Sequence, residues 1–171
     1  MSYRSKELVV TFTIASILSA LHVTSANAQA AARKTAGAVN SEITLDVSGG
    51  PNAGHYVAKA TQGGCSDMSN KWGNQYSIDT KDAKQFSSLQ LIVPNAKDAA
   101  NGTSAFTMTV GFGPLFFGNG KQYNVDANTK SGEGTVKIDD RGSSATVTFD
   151  AKTVAGVGLK GTIECHSLMR M

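Results

Sequence analysis

Apolar and polar side chains alternate along several short segments of this chain, most clearly in residues 103–113. The alternating apolar side chains there are Phe106, Met108, Val110 and Phe112. Successive side chains of a β-strand point to opposite faces, so this pattern indicates a strand with one buried face. Residues 158–168 repeat the pattern, with Leu159, Ile163 and Cys165 on one face. We therefore expect sheets that are each buried on one side.

The same period predicts short strands along most of the chain, separated by turn residues about every 8–12 positions. The predicted strands are 42–48, 55–60, 75–79, 87–93, 103–113, 121–127, 133–139, 144–152 and 156–165. Residues 61–74 are predicted to be a loop, and residues 96–102 a loop or a brief helical turn. Eight to nine strands without a long helical pattern favour an antiparallel β-sandwich, immunoglobulin-like or similar, over a barrel. We expect one such domain over residues 42–168, after a flexible lead-in at 31–41.

Residues 1–30 have the three-part layout of a secretory signal peptide. Arg4 and Lys6 precede the apolar run 8–23, and small residues follow with cleavage sites after Ala28 or Ala30. A membrane anchor is the alternative, but Thr and Ser interrupt the run, which is shorter than the roughly 20 residues that a span requires. We predict export to the periplasm or out of the cell, with no stable membrane anchor after cleavage.

Two cysteines, Cys65 and Cys165, follow the predicted leader. An even count in an exported protein is first interpreted as a disulfide, which here would tie an early loop to the last predicted strand. The alternatives are a reactive thiol and a zinc site completed by His55 and His166. His166 follows Cys165 in a strand, so the two side chains point to opposite faces, and no C-x-x-C spacing supports zinc. We predict a disulfide, no metal and no cofactor.

Composition and charge exclude several classes of function. The net charge of +3 provides no long-range attraction for nucleic acid. The chain has no G-x-S-x-G motif, and His55 and His166 are its only histidines after the leader, so a catalytic triad has no support. Asp139 and Asp140 are typical of a hairpin turn and lack calcium-loop spacing. Carboxylates can pair in space rather than in sequence, which leaves a glycosidase-type pair open.

Five large apolar residues are the candidate contacts for a ligand or partner. They are Trp72, Phe112, Leu115, Phe116 and Phe117. The segment 112–120 joins two predicted strands, and it either closes one end of the sandwich or meets a partner. Trp72 either packs against the disulfide or stacks on a ligand.

The C-terminal stretch SATVTFDAKTVAGVGLKGTIEC (144–165) resembles the closing hairpin of uncharacterised exported bacterial β-sandwich proteins that end in a G-T-I-x-C strand. The layout also resembles, more distantly, the mycobacterial lipoprotein-antigen family, although the lipidated cysteine of that family has no counterpart here. The first resemblance implies a secreted bacterial β-sandwich with one disulfide and brings no activity with it.

These patterns predict a secreted or periplasmic, non-catalytic binding module for a protein or a small apolar ligand. The first alternative is a structural, envelope-associated protein without a ligand pocket. The second alternative is a small extracytoplasmic hydrolase, which would need His55 or His166 in a cleft beside a Ser, Thr or carboxylate.

Overall fold

The computed structural model describes residues 38–114 and 120–171, which belong to one compact unit. The predicted signal peptide lies outside the described residues, as do Leu115, Phe116 and Phe117 of the candidate contact segment. The regular secondary structure of the described residues is almost entirely β-strand, and its one helical element is a short 3-10 helix, Asp98–Asn101. No helix in residues 38–114 or 120–171 is long and apolar enough to cross a membrane.

Five antiparallel strands form the first sheet, in the spatial order β2-β1-β10-β9-β8. Their bounds are β1 Ser41–Ser48, β2 Gly54–Ala60, β8 Glu133–Asp140, β9 Ala145–Lys152 and β10 Gly158–Cys165. The bounds of each of these strands agree closely with those of a predicted strand. The early strand β1 lies beside β10, so the sheet joins the two ends of the described chain.

Six strands form the second sheet, in the order β11-β3-β4-β5-β6-β7. Their bounds are β3 Gly64–Met68, β4 Lys71–Ser77, β5 Phe86–Val93, β6 Thr107–Phe112, β7 Lys121–Asp126 and β11 Leu168–Arg170. All neighbours are antiparallel except β11, which runs parallel to β3. This parallel pair is the one departure from the predicted antiparallel pattern.

The two sheets pack face to face on a continuous apolar core, which confirms the predicted β-sandwich. In β1 the side chains of Ile43 and Leu45 are fully buried, while Asp46 between Leu45 and the buried Val47 is exposed. Leu91 in the middle of β5 is likewise fully buried. Such side chains typically contribute about 2–5 kcal/mol each to the free energy of unfolding, as measured by truncation to alanine.

The disulfide joins the sheets, as predicted. Cys65 on β3 is bonded to Cys165 on β10, with Cα atoms 5.9 Å apart, the usual separation for a disulfide. Both cysteines are buried, and Nδ2 of the buried Asn74 lies 3.4 Å from the Sγ atom of Cys65. Immediately after Cys165 the chain crosses to the second sheet as β11.

The prediction of a loop over residues 61–74 was wrong. The segment contains β3 and the start of β4, joined by a two-residue hairpin turn in which Ser69 and Asn70 both have positive φ, at 51° and 74°. With β3 of this hairpin and with β11, the described residues contain eleven strands, compared with the eight to nine predicted. The strand β11 also extends the domain past residue 168. The apolar pattern failed here because two inward-facing positions, Asp67 and Asn74, are polar.

Candidate functional site

The end of the sandwich that contains Phe112 is closed by aromatic packing. Phe112 is buried, and its ring lies 4.9 Å from that of Tyr56 and 5.8 Å from that of Phe86. Tyr123 donates a hydrogen bond of 2.9 Å to Oδ1 of the buried Asn52 beside this cluster. Phe112 therefore packs in the core and does not reach the surface.

An open cavity of about 1110 Å³, which we call the Trp72 cavity, lies beside the β3–β4 hairpin. Its walls are the β3–β4 hairpin, the segment 96–100, the end of β8 and the side chain of Arg170. Thr103 holds the segment 96–100 near the edge of β8, because Thr103 and Val136 exchange two backbone hydrogen bonds of 2.8 Å. The cavity thus lies where the edge of the first sheet approaches the end of the second.

A row of three polar side chains crosses the second sheet at this cavity. Asp67 on β3 lies directly opposite Trp72 on β4, and Arg170 on β11 is the register partner of Asp67 on its other side. Directly opposed residues have side chains on the same face of a sheet, with Cβ atoms about 4.5–5.5 Å apart in an antiparallel pair. The row therefore places an indole, a carboxylate and a guanidinium next to one another.

Two atoms of this row are buried without a hydrogen-bond partner among the described residues. They are Nε1 of Trp72, a donor, and Oδ1 of Asp67, an acceptor. Only 1% of Trp72 is exposed. Buried polar atoms ordinarily find a partner, because leaving one unpaired costs about 1–3 kcal/mol. Oδ1 of Asn74 and Oγ of Ser87 are also buried without a described partner, but of these four residues only Trp72 and Asp67 line the Trp72 cavity. Their unpaired atoms make this cavity a candidate binding site.

Ion pairs hold Arg170 in place at the cavity. Its Nη1 donates to Oδ2 of Asp67 at 2.8 Å, and its Nη2 donates to Oδ1 and Oδ2 of Asp140 at 2.5 and 2.7 Å. The backbone oxygen of Gly142 accepts two further bonds from the same guanidinium. Partial burial raises the pKa of Asp140, but hydrogen bonds from Arg170 and the Gly142 N–H outweigh it, so the pKa lies below its ordinary value. The bond with Asp140 also raises the pKa of Arg170.

Two lysines, Lys97 in the segment 96–100 and Lys137 on β8, are also among the residues that line the cavity. Among the described residues neither forms an ion pair or a side-chain hydrogen bond. Asn70 fixes the wall near Lys97, since its Oδ1 accepts a 3.1 Å hydrogen bond from the Lys97 N–H, and its backbone oxygen accepts one of 2.7 Å from Ala96. Lys137 alternates with the buried Val136 and Ile138 along β8, so its side chain points to the outer face of the first sheet.

The histidines lie elsewhere. Nδ1 of His55 on β2 is 2.6 Å from Oδ1 of Asp46 on β1, with both side chains more than half exposed, and His166 is exposed after β10. The hydrolase alternative requires a histidine beside a Ser, Thr or carboxylate in a cleft. The His55–Asp46 pair has this contact, but both of its side chains are exposed. The Trp72 cavity is lined by one hydroxyl, that of Ser69, and by no histidine. Residues 38–114 and 120–171 contain no group of three or more His, Cys, Asp or Glu side chains placed to hold a metal ion.

A shallower groove of about 620 Å³ lies on the outer face of the second sheet. Gly73 forms part of its floor, and Met68, Ile92 and Met169 supply apolar surface around it. Met68 and Met169 are 44% and 61% exposed. This groove is more apolar than the Trp72 cavity.

No protein-family model, curated protein or solved structure gives a significant match to this chain. Function must therefore be argued from the geometry.

Of the five contact candidates from the sequence, the structure places Trp72 at a cavity and Phe112 in the core, and it does not describe the other three. The sequence pattern missed the remaining cavity residues, above all Asp67 and Arg170. Asp67 lay in a predicted loop, and Arg170 lay beyond the predicted domain. The sequence did contain a signal for the hairpin. The segments C-x-D (65–67) and W-x-N (72–74) each place a polar residue two positions after an apolar one, which is the spacing of one face of a strand.

Proposed function

We propose that this protein is a non-catalytic binding protein of the extracytoplasmic space that holds a small polar molecule in the Trp72 cavity. The observation that carries the proposal is the pair of buried, unpartnered atoms, Nε1 of Trp72 and Oδ1 of Asp67, at an open cavity of about 1110 Å³. Binding sites combine a concave shape with a few such convergent polar groups. The polar lining favours a polar ligand over the small apolar ligand that the sequence suggested.

The predicted signal peptide and the disulfide support the extracytoplasmic location. Disulfides persist in oxidising compartments and are rare in the reducing cytosol. The location is tested by the mass of the exported chain. A chain that begins near Gln29 or Ala31 without free thiols is the expected product, whereas an uncleaved chain or two free thiols in the folded protein would contradict it.

Trp72 makes the binding proposal testable without a label, because it is the only tryptophan of the chain. We expect at least one class in a panel of neutral sugars, sugar acids, amino acids, dicarboxylates and polyamines to shift the Trp72 emission in a saturable way. Asp67→Ala should abolish that response, since it removes the buried acceptor. The matched control is Asp79→Ala, which removes an exposed carboxylate outside the cavity. Circular dichroism establishes that both variants are folded.

A response that is equal in the Asp67→Ala and Asp79→Ala proteins would contradict binding in the Trp72 cavity. No response to any member of the panel, in calorimetry as well as fluorescence, would refute the proposed function. The two results are distinct, because the first leaves a ligand to be placed elsewhere.

The groove on the outer face of the second sheet favours a second candidate function, which is contact with an apolar ligand or with the surface of another protein. Met68 and Met169 are flexible apolar side chains that adapt to different partners. An apolar dye such as 1-anilinonaphthalene-8-sulfonate should bind the folded protein with a fluorescence gain that Met169→Glu reduces. An unchanged gain in that variant, with Val154→Glu as the control at a separate exposed site, would remove the groove from consideration.

A further inference from the structure

Exposed methionines concentrate at one place on the surface of the sandwich. Among the described residues five large apolar side chains are exposed, and three of them are Met68, Met169 and Met171. The other two are valines that lie outside β3 and β11. Met108 on β6 is buried. Single exposed apolar residues are ordinary, but a cluster of them indicates contact with something outside the chain.

The pairing of β11 with β3 brings these three side chains to one face of the second sheet. Met171 continues the parallel ladder, since its N–H donates to the Asp67 oxygen and its oxygen accepts from the Ser69 N–H, both at 3.3 Å. This pattern sets Met171 opposite Met68. Alternate residues of a strand share a face, so Met169 lies on the same side as Met171. Met68 and Met169 both line the groove on the outer face, which fixes that side as the outer one.

The backbone positions of the three methionines form a small triangle. Adjacent strands lie about 4.8 Å apart and alternate residues of one strand about 6.6 Å apart, so the third side is about 8 Å. Methionine side chains are long and have three rotatable bonds, so the three sulfur atoms can converge above the triangle. Arg170 lies between the two methionines of β11 and points inward, where its ion pairs with Asp67 and Asp140 hold the strand in place.

Three thioethers form a set of soft, neutral sulfur donors. Soft ligands of this kind select Cu(I), whereas carboxylate and water oxygens suit Mg²⁺ and Ca²⁺. Lys71 lies opposite Met68 on β4, and its positive charge opposes a divalent ion more strongly than a monovalent one. The two cysteines are bonded to each other, and the described residues contain no free thiol. The sequence-based prediction of no metal considered cysteine and histidine ligands, and methionine lay outside it.

We infer that Met68, Met169 and Met171 bind Cu(I) on the outer face of the second sheet. The metal is bound as Cu(I), with no change of oxidation state. None of the three methionines lines the Trp72 cavity, so the inference does not depend on the ligand proposed there. The competing explanation is the apolar contact described above for the groove, because Met68 and Met169 belong to both.

Silver is the first probe, because Ag(I) is a soft monovalent ion like Cu(I) and needs no reductant that would open the disulfide. Silver nitrate titrated into the oxidised protein in chloride-free buffer should bind at one equivalent in calorimetry, and excess Zn²⁺ should not compete. In protein labelled with ¹³C at the methionine methyl groups, the signals of Met68, Met169 and Met171 should shift, while that of Met108 stays. Cu(I) added anaerobically in acetonitrile should shift the same three signals.

Leucine variants test each ligand separately. Met68→Leu, Met169→Leu and Met171→Leu each keep the apolar bulk and remove one thioether. Each should weaken Ag(I) binding about tenfold or more, since losing a ligand costs at least as much as disturbing the groups around it. The matched control is Met108→Leu, which should bind Ag(I) with unchanged affinity. Circular dichroism establishes that all four variants are folded.

Several outcomes would overturn the inference. An unchanged affinity in the three leucine variants would place the metal elsewhere, and displacement of Ag(I) by Zn²⁺ would indicate nitrogen or oxygen ligands. No binding of Ag(I) by the folded protein would refute the site. If that protein still binds 1-anilinonaphthalene-8-sulfonate in a way that Met169→Glu reduces, the methionines serve as an apolar contact surface. None of these results changes the case for the Trp72 cavity, which is tested by its own ligand panel.

Discussion

Removing the bond between Cys65 and Cys165 should cost this protein a large part of its stability. The appropriate perturbation is the double variant Cys65→Ala with Cys165→Ala, since a single variant leaves an unpaired thiol. The bond closes a loop across a sequence separation of 100 residues. In the chain-entropy model a loop of that length is worth about 4.7 kcal/mol, because the bond restricts the unfolded chain. Measured losses for native disulfides are typically about 2–5 kcal/mol.

We therefore expect the free energy of unfolding of the double variant to be about 3–5 kcal/mol lower than that of the oxidised protein. Domains of this size have total stabilities of about 5–15 kcal/mol, so the variant should remain folded unless the total lies near the lower end of that range. The corresponding fall in melting temperature is roughly 10–20 °C.

Urea unfolding followed by the emission of Trp72 measures the difference directly. The control is the wild-type chain with its disulfide reduced, which retains both sulfur atoms and loses only the bond. The reduced chain and the double variant should unfold at nearly the same urea concentration. A loss of less than about 1 kcal/mol in both would refute the loop-closure account, and it would mean that the unfolded chain is already held compact near Cys65.

Three further predictions concern stability. Gly161→Ala should lower the free energy of unfolding by about 3 kcal/mol, because a Cβ there would lie 2.0 Å from a backbone oxygen of β1. The control is Gly73→Ala, whose Cβ meets only ordinary contacts and which should change the thermal melt little. Equal melting temperatures for the two variants would contradict the packing argument. The lowered pKa of Asp140 implies that its pairing with Arg170 stabilises the fold above the ordinary carboxyl range and that this contribution is lost as the pH falls below about 4. The stability gap between wild type and Arg170→Gln should therefore shrink in acid, and a gap that is constant with pH would count against it. Tyr123→Phe should cost about 1–2 kcal/mol in urea unfolding, since it leaves a buried amide oxygen without its donor, and a neutral result would show that this bond is dispensable.

Most of the sandwich could be predicted from the sequence because its core strands alternate in the expected way. In β6, β9 and β10 the inward positions are apolar and the outward ones mostly polar, so the period marks both the strand and its buried face. The disulfide followed from the even count of cysteines and the predicted export. Neither inference required knowledge of which strands are neighbours.

The candidate site could not be predicted in the same way, for a physical reason. Asp67 and Asn74 face inward from β3 and β4, where the alternation rule expects apolar side chains, so the hairpin resembled a loop. Arg170 and Asp67 lie 103 positions apart and are brought together only by the parallel pairing of β11 with β3. A polar side chain at an inward position is what a buried binding site requires, and it is also what hides a strand from the pattern.

The pairing of β1 with β10 and the bond between Cys65 and Cys165 also fix an order of events during synthesis. Chains are made at about 5–20 residues per second, so Cys65 exists for about 5–20 s before its partner has been added. Through that interval β1 has only β2 beside it, and the edge that will meet β10 is open. Any bond that Cys65 forms with another thiol in that time must be exchanged before the native one can form. Correct oxidation of this protein therefore requires that Cys65 is free, or is released from any earlier disulfide, when Cys165 becomes available.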